Sequence, residues 1–441
     1  MKTVSKSQNS KKNVTSVVGD FSLFTKDDRA VLSFLGFLSL LTLYITPWII
    51  PPDGSLYLSS AKSIFTEDMF QNYHWMREPL YPIFLKVLLF SNNLFFVMFV
   101  QSILVGGSVF LIFKSFAFFV QFEKWQKFSA VFLSFIFIRG FATEILMQAL
   151  LLFIVSSATY INSRIVFHEK MNTKYSNRIY LVGGMVSFLG FALQVLVGIS
   201  VLSVFIFVLI RSKTTSSKQR FKVIVGTVLI CALSLGLWQN IKNRAIESGE
   251  LVFGSNSLTQ YQFFESGDPA KRQEQRIQAF AGILGLAPEK DAFISRPVGV
   301  ALREWAMPFF NNEAWNQGGE CGQYDRSHSE SILSYISPLT KVRYCHTPGQ
   351  ITLSNFLSAF GIIIYPIFSL LIIAFIVFLL VSFDLGFIAL LGVSTLMLFE
   401  YSLVGQGHSR FGAPLFMLSP FLLVFILRKK KLMFMNLWDK S

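Results

Sequence analysis

The run AVLSFLGFLSLLTLYITPWII fills residues 30–50 without a single charged side chain. No water hydrates a backbone inside lipid, so such a stretch has to close its own hydrogen bonds as a helix; about 20 residues cross the ~30 Å of hydrocarbon. Comparable runs recur along the 441 residues, and only 15% of the chain is charged, against roughly 25% in a soluble domain. The pattern predicts an all-α polytopic membrane protein. A β-barrel is excluded, because its strands would appear as short segments of alternating polarity.

The net charge of +14 is unevenly placed. Residues 241–352, the one long polar stretch, hold eleven Lys or Arg and twelve Asp or Glu, so the basic excess lies elsewhere. It sits in MKTVSKSQNSKK at the start, RSKTTSSKQRFK at 211–222 and RKKK at 428–431. Short basic connectors on one side of the spans follow the positive-inside rule, and they suit anionic phospholipid headgroups as partners rather than nucleic acid. The polar leader precedes a full-length span with no small-residue cleavage site, so it reads as a cytoplasmic tail, not a cleaved signal.

This patterning gives about ten spans with both termini in the cytoplasm. Span one, 30–50, leads to an outer loop over 51–79, where SLYLSSAKSIF sets Leu56, Ser60, Ala61 and Ile64 on one face of an interfacial helix. PLYPIFLKVLLF forms a short interfacial or re-entrant piece before span two, near 92–118. Spans three and four, near 129–141 and 145–161, are short and meet at IRGFATEIL; NSRIVFHEKMNTKYSNR then returns the chain through the cytoplasm. Residues 179–210 exceed one span and divide near Ala192–Gln194. Span seven covers about 223–239, and the last three lie near 355–380, 385–403 and 412–427. The domains expected are a basic cytoplasmic tail over 1–29, a transmembrane core over 30–240, an extracytoplasmic loop or small domain over 241–352, C-terminal spans over 353–427, and a basic cytoplasmic tail over 428–441.

Polar residues gather on the outer side of this topology. Asp53 leaves span one, His74 and Arg77 precede span two, Glu144 opens span four, Asn243 and Arg244 follow span seven, and His408 and Arg410 precede the last span. A carboxylate among cations suits an acceptor that must lose a proton and an anionic leaving group. Plainer readings stand beside this one. Asp53 also fits the N-cap of the interfacial helix, Arg77 and Arg410 fit snorkelling to headgroups, and Glu144 fits a loop ion pair with Arg139. His74 and His408 fit ordinary interfacial positions. No HxxxH or HExxH spacing marks a histidine metal site, and neither a P-loop nor GxSxG is present. Cys321 and Cys345 share the outer stretch, where an oxidising compartment would allow a disulfide; Cys231 lies in a span.

Together, PDGSLYLSSAKSIF and MREPLYPIFL resemble the first outer loop of GT-C glycosyltransferases, with an Asp after span one and an R-x-P-x-Y-P-like segment opening the next apolar stretch. TEILMQALLLF resembles the second acidic site of that superfamily. LWQNIKNRAIESGELVFGSN resembles the segment that enters the large outer region in the dolichyl-phosphate-mannose and aminoarabinose transferase branch. GHSRFGAPLFMLSPFLL resembles the R-Y/F-x-x-P-x-x-P signature of the last core span. The matches run in order from about 30 to 427. Gly54 after Asp53, Gln194 in place of a frequent Arg, and Asn243 before Arg244 depart from the pattern and leave donor sugar and acceptor open.

The resemblance implies inverting transfer of a sugar from a polyprenyl-phosphate donor to a hydroxyl of a lipid, glycan or protein, at the outer face of a bacterial inner (plasma) membrane. It implies Asp53 as general base and Glu144 as its assistant. Arg77, Arg244 and Arg410 would hold the donor phosphate, and Tyr57, His74, Tyr81 and His408 are substrate-binding candidates. No cofactor is required by this chemistry, although a divalent cation between Asp53, Glu144 and the phosphate fits it. Two rival readings are an enzyme like the O-antigen ligases or polymerases, and a transporter or flippase of a lipid-linked or anionic substrate. The latter wants ionisable residues deep in the bilayer, where Lys86, Gln101, Lys114 and Glu400 are the candidates and none shows an obvious partner within its span.

Overall fold

The computed structural model describes residues 25–46, 52–67, 69, 73, 78–91, 94–143, 145–171, 178–212, 216–246, 276–277, 280, 357, 364, 367–381, 384–403 and 412–438, with backbone alone for 52, 53, 55, 91, 234, 241–246, 403 and 429–438. Among these residues every regular element is a helix. In chain order they are α1 (Lys26–Ile45), α2 (Pro52–Ser63), α3 (Leu80–Leu88), α4 (Leu94–Ala117), α5 (Lys124–Ile138), α6 (Gln148–Lys170), α7 (Arg178–Leu193), α8 (Val195–Arg211), α9 (Ser217–Ile246), α10 (Ile367–Val381), α11 (Leu385–Leu403) and α12 (Ala413–Trp438). A 3-10 turn, Arg139–Ala142, follows α5.

Five of these helices, α1, α4, α6, α9 and α11, are long and apolar enough to cross a membrane, and α7, α8, α10 and α12 contain shorter apolar segments. Large apolar side chains stay exposed on their outward faces, among them Phe221, Leu233 and Leu237 of α9 and Leu370 and Val381 of α10. Such faces suit hydrocarbon, and the chain is a membrane-embedded helical protein.

Side-chain pairings fix the helix directions. Ser39 of α1 and Ser102 of α4 each donate a hydroxyl to the other's carbonyl at 3.2 Å, while Asp28 at the start of α1 meets Lys114 near the end of α4. Those two helices are therefore antiparallel, and the Ser39 hydroxyl would lie 3.0 Å from any Cβ placed at Gly106. Phe113 and Phe116 of α4 pack rings against Phe421 of α12, and Phe137 of α5 packs against Phe416. With lipid as apolar as the core, this close packing and the few polar ties supply the association energy.

One end of the bundle is stitched by ions. Asp28 takes the Lys114 ammonium at 2.9 Å, Asp27 takes Lys127 at 2.5 Å, and Glu123 takes Arg428 at 2.6 Å. Arg428 also donates to Gln126 at 3.1 Å. These contacts join α1, α4, α5 and α12 where each begins or ends its apolar stretch. Thr25 caps α1, its hydroxyl accepting from the Asp28 amide at 3.1 Å while Asp28 accepts from the Thr25 amide.

The expected break near Ala192–Gln194 is present: α7 ends at Leu193, Gln194 is extended, and α8 starts at Val195. Gly190 and Gly198 allow the reversal, because a Cβ on Gly198 would overlap the Phe191 ring and come within 2.6 Å of its backbone nitrogen. One expectation needs correction: NSRIVFHEK is not a connector, because α6 continues through Lys170, with Asn162, Ser163, Ile165 and Val166 buried against its neighbours. Two helices also run past their expected spans: α12 continues through RKKK at 428–431, and α9 starts within the basic connector, its Gln219 amide donating to the Ser216 hydroxyl at 3.3 Å. Apolar periodicity marks the lipid-facing part of a helix, whereas helical hydrogen bonding continues into polar sequence.

Only 4% of the Asp28 side chain is exposed, so removing its cation leaves a buried charge without its lysine. Lys114→Met is expected to lower stability in detergent by about 3 kcal/mol. The Asp28→Asn, Lys114→Met pair should cost less than the sum of the single changes. Thermal unfolding of the three variants measures both.

Candidate functional site

The opposite end of the bundle carries the first loop. α2 opens on Pro52, whose fixed φ suits the first helical position. Asp53 consequently stands in the first turn of α2 and is not its N-cap, which corrects the plainer reading of that residue. Of the expected face, Ser60, Ala61 and Ile64 lie inside, together with Tyr57 and Leu58, while Leu56 is half-buried.

The end of α2 is held by α3. The Lys86 ammonium donates to the carbonyl of Ile64 and, at 3.5 Å, to that of Lys62. A cation is favourable at a helix C-terminus, and Lys86 lies there at the end of α2. Phe65 follows with φ 61°, an uncommon left-handed conformation for a large side chain, and Thr66 closes the turn by donating to the Ser63 carbonyl at 2.6 Å. Lys86, read from the sequence as a deep ionisable group without a partner, is a helix clamp.

α3 lies on α2 ring to ring. Tyr57 and Tyr81 meet edge to face at 4.8 Å between centroids, and Phe84 stacks on Tyr81 from one turn further along. The Tyr81 hydroxyl donates to Gln101 Oε1 at 3.0 Å, and Gln101 Nε2 donates to the Phe141 carbonyl at 3.2 Å. This relay connects α3, α4 and the 3-10 turn. Beside it, Arg139 Nη1 donates to the Thr46 hydroxyl at 2.8 Å, joining that turn to the end of α1. Arg139 is 3% exposed, and Gln101 fully buried.

A further contact brings α9 to the same end. Tyr73 and Trp238 meet edge to face at 5.8 Å. Tyr73 precedes His74 in sequence, and Trp238 lies in the α9 segment that leads to Arg244. At this end also, the Tyr401 hydroxyl of α11 donates to Gln194, and Ser200 of α8 donates to the adjacent Glu400 at 2.7 Å. All four deep polar candidates thus have partners: Lys86 with α2, Lys114 with Asp28, Gln101 with Tyr81 and Phe141, Glu400 with Ser200.

Of the expected site residues, Tyr57 and Tyr81 are brought together and buried. Asp53 and Arg244 are placed by backbone, in the first turn of α2 and the last of α9. Glu144, His74, Arg77, His408 and Arg410 lie outside the described residues, as do Cys321 and Cys345; α11 ends and α12 begins on either side of His408 and Arg410. Sequence reasoning gave Arg139 no more than a loop ion pair and overlooked Gln101 as a junction. The available signal was their isolation within FIFIRGFA and FVMFVQSILV, since polar groups in apolar runs demand internal partners. Among the described residues no cluster of three or more His, Cys, Asp or Glu is grouped for a metal ion.

Among the described residues, this end offers a floor of buried aromatic and amide groups together with the buried Arg139 guanidinium of the 3-10 turn. Searches against family models, curated proteins and solved structures find no match to the chain.

The Gln101 junction is testable by stability. Gln101→Leu strands the Tyr81 hydroxyl and the Phe141 carbonyl and should cost about 2–3 kcal/mol, whereas Tyr81→Phe removes one bond and should cost about 1. In the double variant the losses should overlap. Thermal unfolding followed by intrinsic fluorescence reads all three.

Proposed function

We propose that the chain is an integral-membrane inverting glycosyltransferase of GT-C type, transferring a sugar from a polyprenyl-phosphate donor to an acceptor hydroxyl. The observation supporting it is the meeting, at one end of the bundle, of segments that carry the resemblance. The Tyr57–Tyr81 contact packs PDGSLYLSSAKSIF on EPLYPIFL, and the Tyr73–Trp238 contact brings the first loop to LWQNIKNR.

In this reading α1 and α4 to α12 make ten crossings. The ion-pair end, with Lys124, Lys170, Arg211, Lys218 and Arg220 near it, is cytoplasmic by the positive-inside rule and faces anionic headgroups. The first-loop end, with residues 241–352 as a small outer domain, faces the periplasm or exterior. The Asp53 carboxylate takes the acceptor proton as the acceptor oxygen attacks the anomeric carbon from the face opposite the leaving group. The bond from that carbon to the phosphate oxygen breaks, its electron pair leaves on polyprenyl phosphate, and configuration inverts. Phosphate needs no acid catalyst, only positive charge where negative charge develops, the role assigned to Arg77, Arg244 and Arg410. Glu144 holds the acceptor, with His74 and His408 as further substrate contacts; Tyr57 and Tyr81 shape the floor on which Asp53 is carried. A transporter is the second reading, favoured by the Ser200–Glu400 pair between α8 and α11.

The experiment supplies membranes containing the protein with labelled polyprenyl-phosphate sugar, with and without a divalent cation. Asp53→Asn should slow transfer at least about 100-fold at equal expression. Equal rates would reject Asp53 as the base. Loss in Arg77→Ala with Asp53→Asn unaffected favours the ligase-like enzyme, and movement of substrate without covalent transfer favours the transporter.

A further inference from the structure

The first outer loop is tied at both of its ends to one short turn. At its entrance, the Thr46 amide closes α1 by donating to the Thr42 carbonyl at 2.8 Å, and the Thr46 hydroxyl accepts from Arg139 Nη1 at 2.8 Å. At its exit, Tyr81 of α3 reaches the same turn through Gln101, which donates to the Phe141 carbonyl at 3.2 Å. Arg139 and Phe141 both belong to the four-residue 3-10 turn Arg139–Ala142. The chain from Thr46 to Tyr81, which carries Asp53, is thus anchored at both ends on those four residues.

The turn is closed on its far side as well. Thr143 donates its amide to the Gly140 carbonyl at 3.0 Å and its hydroxyl to the same oxygen at 3.2 Å. Glu144 is the next residue. Thr46, Arg139, Phe141 and Thr143 are each at most 6% exposed, so bulk water does not compete for these bonds.

A guanidinium at this end has two other possible uses, a lipid headgroup or a substrate anion. Arg139 is buried to 3% exposure and turns Nη1 to a hydroxyl inside the protein, which sets it apart from Arg77, Arg244 and Arg410. Its planar fork donates in fixed directions, the property required of a brace. We infer that Arg139 is a positioning residue: through Thr46 it sets where the first loop, and Asp53 with it, stands relative to the segment that opens on Glu144. The inference rests on the glycosyltransferase reading, in which Asp53 takes the acceptor proton and Glu144 holds the acceptor. Two groups acting on one hydroxyl have to keep their spacing, because a misplacement of about 1 Å costs on the order of 100-fold in rate.

Thr46→Val removes the accepting hydroxyl and keeps the side-chain shape, whereas Thr46→Ser keeps the hydroxyl. The purified full-length variants are supplied with labelled polyprenyl-phosphate sugar well below their unfolding temperatures. Thr46→Val should lower kcat by about tenfold or more while donor KM stays within about twofold, and Thr46→Ser should restore most of the rate. Lys114→Met, which loosens the opposite end of the bundle, should keep kcat within about twofold of the unaltered protein. An unchanged kcat in Thr46→Val, or an equal loss in Lys114→Met, rejects the positioning role. Hydrogen exchange tests the brace without relying on transfer: deuterium uptake over α2 should quicken about threefold or more in Thr46→Val and stay unchanged in Lys114→Met. If the unaltered protein moves no sugar, the glycosyltransferase reading fails by itself, and unchanged uptake over α2 is then the result that overturns the brace. Should Thr46→Val fail to express, Thr46→Ala carries the same expectations.

Discussion

A polar group placed among apolar helices has no solvent to fall back on, and the arrangement of this protein follows from that shortage. Asp28 is tolerated inside because Lys114 reaches it, and Lys114 is tolerated near a helix end because Asp28 is there. Gln101 uses its oxygen for Tyr81 and its nitrogen for Phe141, so one side chain settles three elements. Each tie fixes a helix direction or register that dispersion between phenylalanine rings would leave loose. Polar contacts are few, yet they decide which apolar faces meet.

The two ends of the bundle solve the same problem differently. One is closed by carboxylate–ammonium and carboxylate–guanidinium pairs across α1, α4, α5 and α12. The other is closed by neutral groups, a single buried guanidinium and a lysine used as a helix cap. Groups already committed to one another form a packed floor at that end. The proposed sugar transfer would draw on such a floor, with charge kept for residues that meet substrate.

Much of the architecture was legible beforehand, and particular residues show why. The break at Gln194 was readable because thirty-odd apolar residues exceed one bilayer crossing. α11 fell on its expected limits because charged or polar residues stop the apolar run at both ends. NSRIVFHEK was misread because hydropathy registers where lipid ends and not where a helix ends. The N-cap reading of Asp53 was two positions off, since Pro52 already occupies the first helical position. Of the candidate site, Tyr57 and Tyr81 were singled out as substrate-binding candidates, but neither their pairing nor the partners of Gln101 and Arg139 were legible, because the sequence does not name a partner far along the chain.

By itself the sequence determined that this is a helical protein of the membrane, for uncharged runs of that length admit no other satisfied backbone. It also determined which segments are polar enough to leave the bilayer. Only the tertiary structure decided that α3 clamps α2 and that Tyr73 meets Trp238. Those outcomes depend on helix direction and register, which follow from packing and pairing between residues far apart in the chain, and no local pattern encodes them.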